Sequence, residues 1–322
     1  MYWYEKSGDA KDVFLSTRVR FARNLKDYPF EPILEPALAE EIIENVSGVL
    51  SDYTADETDR NVLSEKRLIS REMAEKKTPS KVLAKGDVCI MVCEEDHLRI
   101  QGIKPGFDLE GAFADASAAE TALDDKLNFA FDERLGYLTH CPTNLGCAMR
   151  ASVMMFLPCL TESGKMKSIE RELSKLGITV RGSGGEGSGA DGCLYQMSNS
   201  VTRGAGEEEI IENLKNAVVS VAETERELRR RIKANNEDAL RDRVLRAYGT
   251  AKYAYMMDSR ELFRLYSDIR LGCIHEMIDM KLEAIDKILF ENLPYHIIAR
   301  EGGDLTPAER DKARARSVSC QL

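Results

Sequence analysis

A chain of 322 residues, 43% of them hydrophobic, can bury one large core and a smaller satellite domain. Its net charge of −10 argues against a nucleic-acid footprint, and no apolar run approaches the roughly 18 residues of a membrane helix. Eight cysteines form no CxxC pair and only four histidines are present, so metal-ligand spacing is absent and a reducing, cytoplasmic setting is expected.

Residues 14–25 read FLSTRVRFARNL. Arg18 and Arg20 alternate with Val19 and Phe21, so in a strand both guanidinium groups face one side, with Ser16 and Thr17 adding hydroxyls. Helical periodicity over 35–50 is followed by an acidic loop over 51–61 and a short helical or irregular stretch, 65–70, that contains Arg67. Residues 88–92 and 98–103 are rich in Val and Ile and read as strands. Between them stand Cys93, Glu94, Glu95, Asp96 and His97, with Arg99 just beyond. Carboxylates so close to a core must be paired or used.

An Ala-rich helix is expected over 109–127 and an alternating segment over 129–139, with a bend at Gly136. The turn from Cys141 to Cys147 feeds Met149, Arg150, Ala151, Ser152, Val153 and Met154. A charged helix over 168–176 and a short strand over 178–181 run into Gly182-Ser183-Gly184-Gly185-Glu186-Gly187. This formally fits GxGxxG, but a dinucleotide fingerprint needs a helix starting inside the motif, and here the chain returns to strand at 194–198. A loop that carries Arg181 and Glu186 over a ligand is the better reading, with glycine supplying hinge freedom.

Residues 207–252 are helical with one interruption near 234–236, and 259–289 are helical again. After the break at Gly302-Gly303, Thr306, Pro307 and Glu309 make a capping box. Arg310, Asp311 and Arg314 therefore stand on the opening turns of the last helix, where an anion is favoured. The expected class is α+β: an antiparallel sheet flanked by helices over 1–234, and an all-α domain over 235–322.

Arg18, Arg20, Arg99, Arg150 and Arg181 each sit beside a strand-like run, as a clamp for a polyphosphate requires, because the guanidinium fork grips phosphate oxygens bidentately. Phosphoryl transfer asks mainly for cations, usually with magnesium, and in-line positioning. Glu95 and Glu186, without a histidine base, suit an acceptor that is itself a cation. A guanidinium, with pKa above about 12, is a poor nucleophile that two carboxylates can grip and relieve of its proton.

The segments STRVRFARNL, EEDHLRI, GYLTHCPTNLG followed by MRASV, and RGSGGEG resemble, in order and spacing, the phosphagen (guanidino) kinases. The resemblance covers roughly residues 12–230. It implies ATP and Mg2+ as cofactors and an ATP site formed by Ser16 to Arg20, Arg67, Arg99, Arg150 to Met154 and Arg181 to Glu186. It also implies Glu95 and Glu186 as guanidinium-binding carboxylates and Cys141 as the reactive cysteine. Arg67 departs from the usual adenine-side histidine of the family, Cys93 from a frequent Asn, and Met154 from an aromatic or His.

Only 15 residues precede Ser16, whereas relatives acting on free arginine or creatine carry a helical domain there. SDIRLG (267–272) and RDKARA (310–315) resemble the helical domain of bacterial protein-arginine kinases, in which RDxxRA forms an allosteric phosphoarginine pocket; Arg310, Asp311 and Arg314 match it. The implied function is ATP-dependent phosphorylation of arginine side chains in proteins. The implied partners are an activator protein of the McsA type, a Clp ATPase and a second copy of the chain. Alternatives from the residues are a kinase of free arginine and a silent phosphoarginine-reading adaptor.

Overall fold

The computed structural model describes residues 2–31, 33–182 and 190–322. Strand β1 (Phe14–Arg23) is followed by α1 (Pro36–Val49), β2 (Thr54–Ala55), α2 (Arg60–Glu65), α3 (Arg71–Glu75), β3 (Lys81–Lys85), β4 (Val88–Val92) and β5 (Leu98–Pro105). Next come α4 (Leu109–Asp124), the small hairpin β6 (Phe131–Asp132) and β7 (Gly136–Tyr137), β8 (Met149–Phe156), α5 (Pro158–Glu162), α6 (Met166–Lys175), β9 (Ile178–Gly182) and β10 (Leu194–Asn199). The remainder is helical: α7 (Glu207–Asn235), α8 (Glu237–Tyr253), α9 (Ser259–Ile274), α10 (Leu282–Phe290), α11 (Pro294–Glu301) and α12 (Pro307–Gln321).

Eight strands form one antiparallel sheet in the order β2-β3-β4-β5-β1-β8-β10-β9, so β1 lies near the middle with β5 and β8 on either side. This is the helix-flanked antiparallel sheet expected from the sequence. Its apolar face carries Val19, Phe21, Ile100, Ala151, Val153 and Met197, and packs on α1, α4 and α7 through residues such as Ile42, Ala112, Ala116, Leu214 and Val218. Gly102 is required where β5 meets α4, because a Cβ there would stand 2.2 Å from the Ala112 carbonyl oxygen. The opposite face is mixed: polar side chains of β1, β5 and β8 stand there beside apolar Ile103 and Met154, which join a second core, and Cys89 and Met91, which join a third under α2 and α3.

A second core joins α8, α9 and α10 to the start of the chain: Trp3, Tyr4 and Leu15 pack with Val244, Leu265, Leu289 and Phe290. It encloses a fully buried ion pair, Arg270 Nε to Asp286 Oδ1 at 2.8 Å, which also receives the Tyr266 hydroxyl at 2.8 Å. Arg270 donates onward to the carbonyls of Lys11 (2.7 Å) and Asp12 (3.2 Å), which satisfies the buried fork. The arginine of SDIRLG is thus a joint between the helices and the segment leading into β1.

Some expected boundaries shift. The helix expected over 259–289 breaks after Ile274, where Glu276 takes a left-handed φ of 59°, and resumes at Leu282. The charged segment KVLAK becomes β3 because β4 supplies its hydrogen-bond ladder, a non-local cause. Among the described residues no helix is long and apolar enough to cross a membrane.

Candidate active site

Register decides which side chains meet. Arg20 of β1 pairs with Arg150 of β8 and with Gln101 of β5, Arg18 with Ser152 and Ile103, and Ala22 with Arg99. Directly opposed residues share a face, so Ser16, Arg18, Arg20, Arg99, Gln101, Arg150, Ser152 and Met154 all stand on the side away from α1, α4 and α7. The pairings of Met154 with Gln196, Ser152 with Ser198 and Arg181 with Gln196 extend this face to β10 and β9. Arg150 is steadied there by donating to Ser198 Oγ at 2.8 Å. Three motif arginines do not behave alike: Arg23 points to the other side, buried against Glu120 (2.8 Å) and over the Tyr137 ring.

The acid cluster is the turn joining β4 to β5, closed by Cys93 N–H to the His97 carbonyl (2.8 Å) with Cys93 at φ 56°. All three acids bear on Arg99. Glu94 Oε2 lies 2.5 Å from Arg99 Nη1, Glu95 Oε2 receives Nη2, and Asp96 Oδ2 is 3.8 Å from Nε. Glu94 is 2% exposed and is also held by the Ser70 hydroxyl, whereas the Glu95 side chain is 36% exposed. Of the three acids, Glu94 and Asp96 are buried and Glu95 is the partly exposed one.

Asp96 and Asn24 lock this turn to the rest of the site. Asp96 Oδ1 accepts from Asn24 Nδ2 and from the His140 backbone N–H, both at 2.8 Å, and Asn24 Oδ1 accepts from His97 N–H at 2.8 Å. His97 accepts from Leu25 N–H at Nδ1 (3.0 Å) and so donates from Nε2 to the Pro29 carbonyl (3.1 Å); burial lowers its pKa, in keeping with a neutral ring. Because Asp96 holds the His140 peptide, Cys141 is fixed one residue from the Glu95 turn; its Sγ lies 2.9 Å from Thr143 Oγ1. The sequence reading left Glu94, Asp96 and His97 to orient the turn, which is how they are placed, but it singled out neither Ser198 nor Asn24, although Asn24 lies inside the STRVRFARNL motif.

The guanidinium groups on this face crowd one another. Burial, followed by the charges of Arg99 and Arg150, pulls the Arg20 guanidinium down to about 9. Burial and then Arg67 pull Arg18 down to about 10, and burial and then Arg71 do the same to Arg67. Crowded guanidinium groups held this way favour an anion that neutralises them. Beside them opens a cleft of about 620 Å³, with Arg18, Arg67 and Arg71 on one wall and Phe263, Phe290 and Tyr295 of the C-terminal helices on the other. A larger groove of about 790 Å³ lies between α6 and α7 and contains none of these arginines, so it has no claim on the chemistry.

Several expected site residues lie elsewhere. Thr17, Val19, Ala151 and Val153 are fully buried on the core-facing side of the sheet, because alternation turns them away from their arginine and serine neighbours. Thr17 instead donates to the Gly106 carbonyl at 2.7 Å. Ser183, Gly184, Gly185 and Glu186 lie outside the described residues; Arg181 and Gly182 end β9.

The last helix begins as expected. Thr306 Oγ1 accepts from Glu309 N–H at 3.3 Å, and Glu309 Oε2 accepts from Thr306 N–H at 2.8 Å. Replacing Thr306 by alanine is expected to cost about 1 kcal/mol in urea unfolding; an unchanged midpoint would show that the cap adds nothing. Arg310 is half-buried, donating to the Leu305 carbonyl at 2.9 Å. Arg314 is buried, with Nε on the Asn292 carbonyl (2.9 Å) and Nη1 on both the Met257 carbonyl and Asp311 Oδ1 (2.7 Å each). In this arrangement Arg314 braces α12 against its neighbours and does not join Arg310 at the surface.

A family model for the C-terminal catalytic domain of ATP:guanido phosphotransferases matches residues 37–228. Another, for the C-terminal domain of protein-arginine kinase McsB, matches residues 237–322. Protein-arginine kinases of Caldanaerobacter subterraneus subsp. tengcongensis and Halothermothrix orenii are 39% and 38% identical to this chain. The alignments cover 97% and 100% of this chain and 97% and 96% of those proteins. Lombricine kinase is similar in fold, with a TM-score of 0.59 at 22% identity over 68% of this chain and 67% of its own.

Proposed function

This chain belongs to the ATP:guanido phosphotransferase family, and on that premise we propose that it transfers the γ-phosphoryl group of ATP to arginine side chains of proteins. The observation that carries the reading is the single sheet face on which Arg18, Arg20, Arg99 and Arg150 share register, with Glu95 at its edge. A second support is the match of residues 237–322 to a domain particular to protein-arginine kinases.

In the proposed mechanism Arg18, Arg20, Arg99 and Arg150 take the ATP phosphate oxygens, with Arg67 and Arg181 at the margins. Ser16, Ser152 and Met154 lie on the nucleoside side. Charge that builds on the transferring group then meets cations already in place, which is where electrostatic preorganisation lowers a barrier. Glu95 exchanges its bond to Arg99 for the substrate guanidinium and aligns one nitrogen with the γ-phosphorus. As the N–P bond forms and the bond to the β-phosphate oxygen breaks, the electron pair leaves with ADP and the nitrogen's proton passes to the carboxylate. Glu186 would be the second carboxylate, and Cys141 part of the wall around the guanidinium.

Magnesium fits this site as a passenger. This face presents guanidinium groups, and among the described residues no group of three or more His, Cys, Asp or Glu side chains could cage a metal. Mg2+ retains water and binds phosphate oxygens readily, so it would arrive on ATP and screen the phosphates there.

Residues 1–234 form the proposed catalytic domain and residues 235–322 the proposed regulatory one, with Arg310, Asp311 and Arg314 its phosphoarginine ligands. Arg314 would have to leave its carbonyl partners to engage phosphate. An McsA-type activator, a Clp ATPase that takes up the marked proteins, a homodimer, a role in stress response and a cytoplasmic setting complete the proposal. Incubation with ATP, Mg2+ and a folded protein should yield acid-labile phosphoarginine by mass spectrometry. Transfer to free arginine at equal rate, or none to protein, would overturn the substrate assignment.

A further inference from the structure

The segment between α2 and α3 is fastened residue by residue. Trp3 Nε1 donates to the Lys66 carbonyl at 3.0 Å, Arg18 Nη2 to the Arg67 carbonyl, and Gln101 Nε2 to the Leu68 carbonyl. Arg67 itself holds a left-handed φ of 59°. An arginine in that conformation persists only when its surroundings over-determine it, and such positions collect at functional sites.

The fourth fastening comes from the far side of the cleft. Glu65 Oε1 accepts from the Tyr295 N–H and Oε2 from the His296 N–H, both at 3.0 Å, and His296 Nδ1 sits 2.9 Å from Oε2. One carboxylate thus caps α11 through two backbone donors, where the helix dipole favours negative charge. The pair is well shielded, at 14% and 9% side-chain exposure. Just before α11, the Asn292 carbonyl accepts from Arg314 of α12. A continuous run of hydrogen bonds and short stretches of chain therefore links α12, the start of α11, Glu65, Arg67 and Arg18.

We propose that Glu65 is a positioning residue: through its cap on α11 it lets the C-terminal helices set how Arg67 and Arg18 are presented to ATP. The inference rests on the reading of those two arginines as nucleotide ligands. It adds the element through which the helical domain acts on them, and it explains why the cleft has walls from both parts of the chain. Capping α11 would stabilise that helix wherever it lay; what is particular here is that the capping residue is two positions from a strained arginine on the nucleotide face.

The test uses the full chain carrying Glu65→Ala or the milder Glu65→Gln, with Glu301→Ala at the opposite end of α11 as a control for general loosening of that helix. Glu65→Ala should raise the KM for ATP about tenfold with kcat within about twofold, and Glu65→Gln should fall between it and the native protein. Glu301→Ala should leave KM unchanged. Equal effects of Glu65→Ala and Glu301→Ala, or a loss confined to kcat, would overturn the proposal. Amide hydrogen exchange at residues 66–69 without nucleotide gives an independent readout and should accelerate in Glu65→Ala. Accelerated exchange in a protein that binds no ATP would remove the ATP assignment and uphold the coupling; unchanged exchange would overturn the coupling itself.

Discussion

Glu95→Gln is expected to lower the rate of phosphoryl transfer to protein arginine by about 100- to 10,000-fold, the range of a lost acid–base group, with the protein still folded and still binding ATP. Glutamine matches the shape of glutamate and can still accept from Arg99, but it cannot hold a guanidinium by charge or accept its proton. Folding should survive because Arg99 keeps Glu94, at 2.5 Å, and because the Glu95 side chain is 36% exposed. Glu94→Gln is the informative contrast. Glu94 is buried and grips the same arginine, so removing its charge breaks a buried pair and should cost stability, about 3–5 kcal/mol, before any effect on chemistry can be read. Thermal unfolding and single-turnover rates on both variants separate the two acids. Native turnover in Glu95→Gln, or equal destabilisation by the two changes, would sink the assignment.

That Glu94 is buried on Arg99 while its neighbour Glu95 is partly open depends on contacts that no local pattern encodes. The alternation in STRVR was legible because a period of two fixes a strand's faces locally, and it correctly put Arg18 and Arg20 together. The same alternation could have excluded Val19, Ala151 and Val153 as side-chain ligands, since they alternate with the arginines and serines that face the site. The family resemblance, carried position by position, overrode that local physics. The meeting of Arg20 with Arg150, and of Ala22 with Arg99, depends on register between strands about 80 or more residues apart, which no single segment encodes. The burial of Glu94 and Asp96 likewise depends on Ser70, Asn24 and the His140 peptide, each brought from another part of the chain. The contribution of the helical region to the cleft was illegible for a similar reason. Tyr295 and Phe290 line the cleft beside Arg18 because Glu65 holds the start of α11 and because Trp3 and Tyr4 tie the chain's start to α10, with Trp3 and Phe290 ring centres 4.8 Å apart.

Arg20→Met should have effects of opposite sign on function and on stability. Arg20 stands at the centre of the face, paired in register with Arg150 and in the field of Arg99, and its guanidinium is pulled down to about 9 by burial and those neighbours. A cation whose folded-state pKa lies below its unfolded value costs stability at every pH below the folded value, so throughout the neutral range the unliganded protein carries this penalty. Methionine fills similar volume without the charge. The unliganded variant should therefore unfold at higher urea concentration, by about 1 kcal/mol. ATP binding reverses the balance, because phosphate oxygens bring negative charge to the crowded guanidinium groups. At 100 times its Kd a nucleotide stabilises the native protein by about 2.7 kcal/mol. In Arg20→Met that protection should shrink towards zero at the same concentration, and kcat/KM for ATP should fall by about 100- to 1,000-fold, the loss expected when one preorganised charge donor is removed. The two measurements constrain each other. A variant that loses both ATP protection and intrinsic stability would mean that Arg20 is a structural ion-pair partner. A variant that gains stability and loses only nucleotide response would mean that the sheet holds its arginines in a state that is unfavourable until the phosphates arrive.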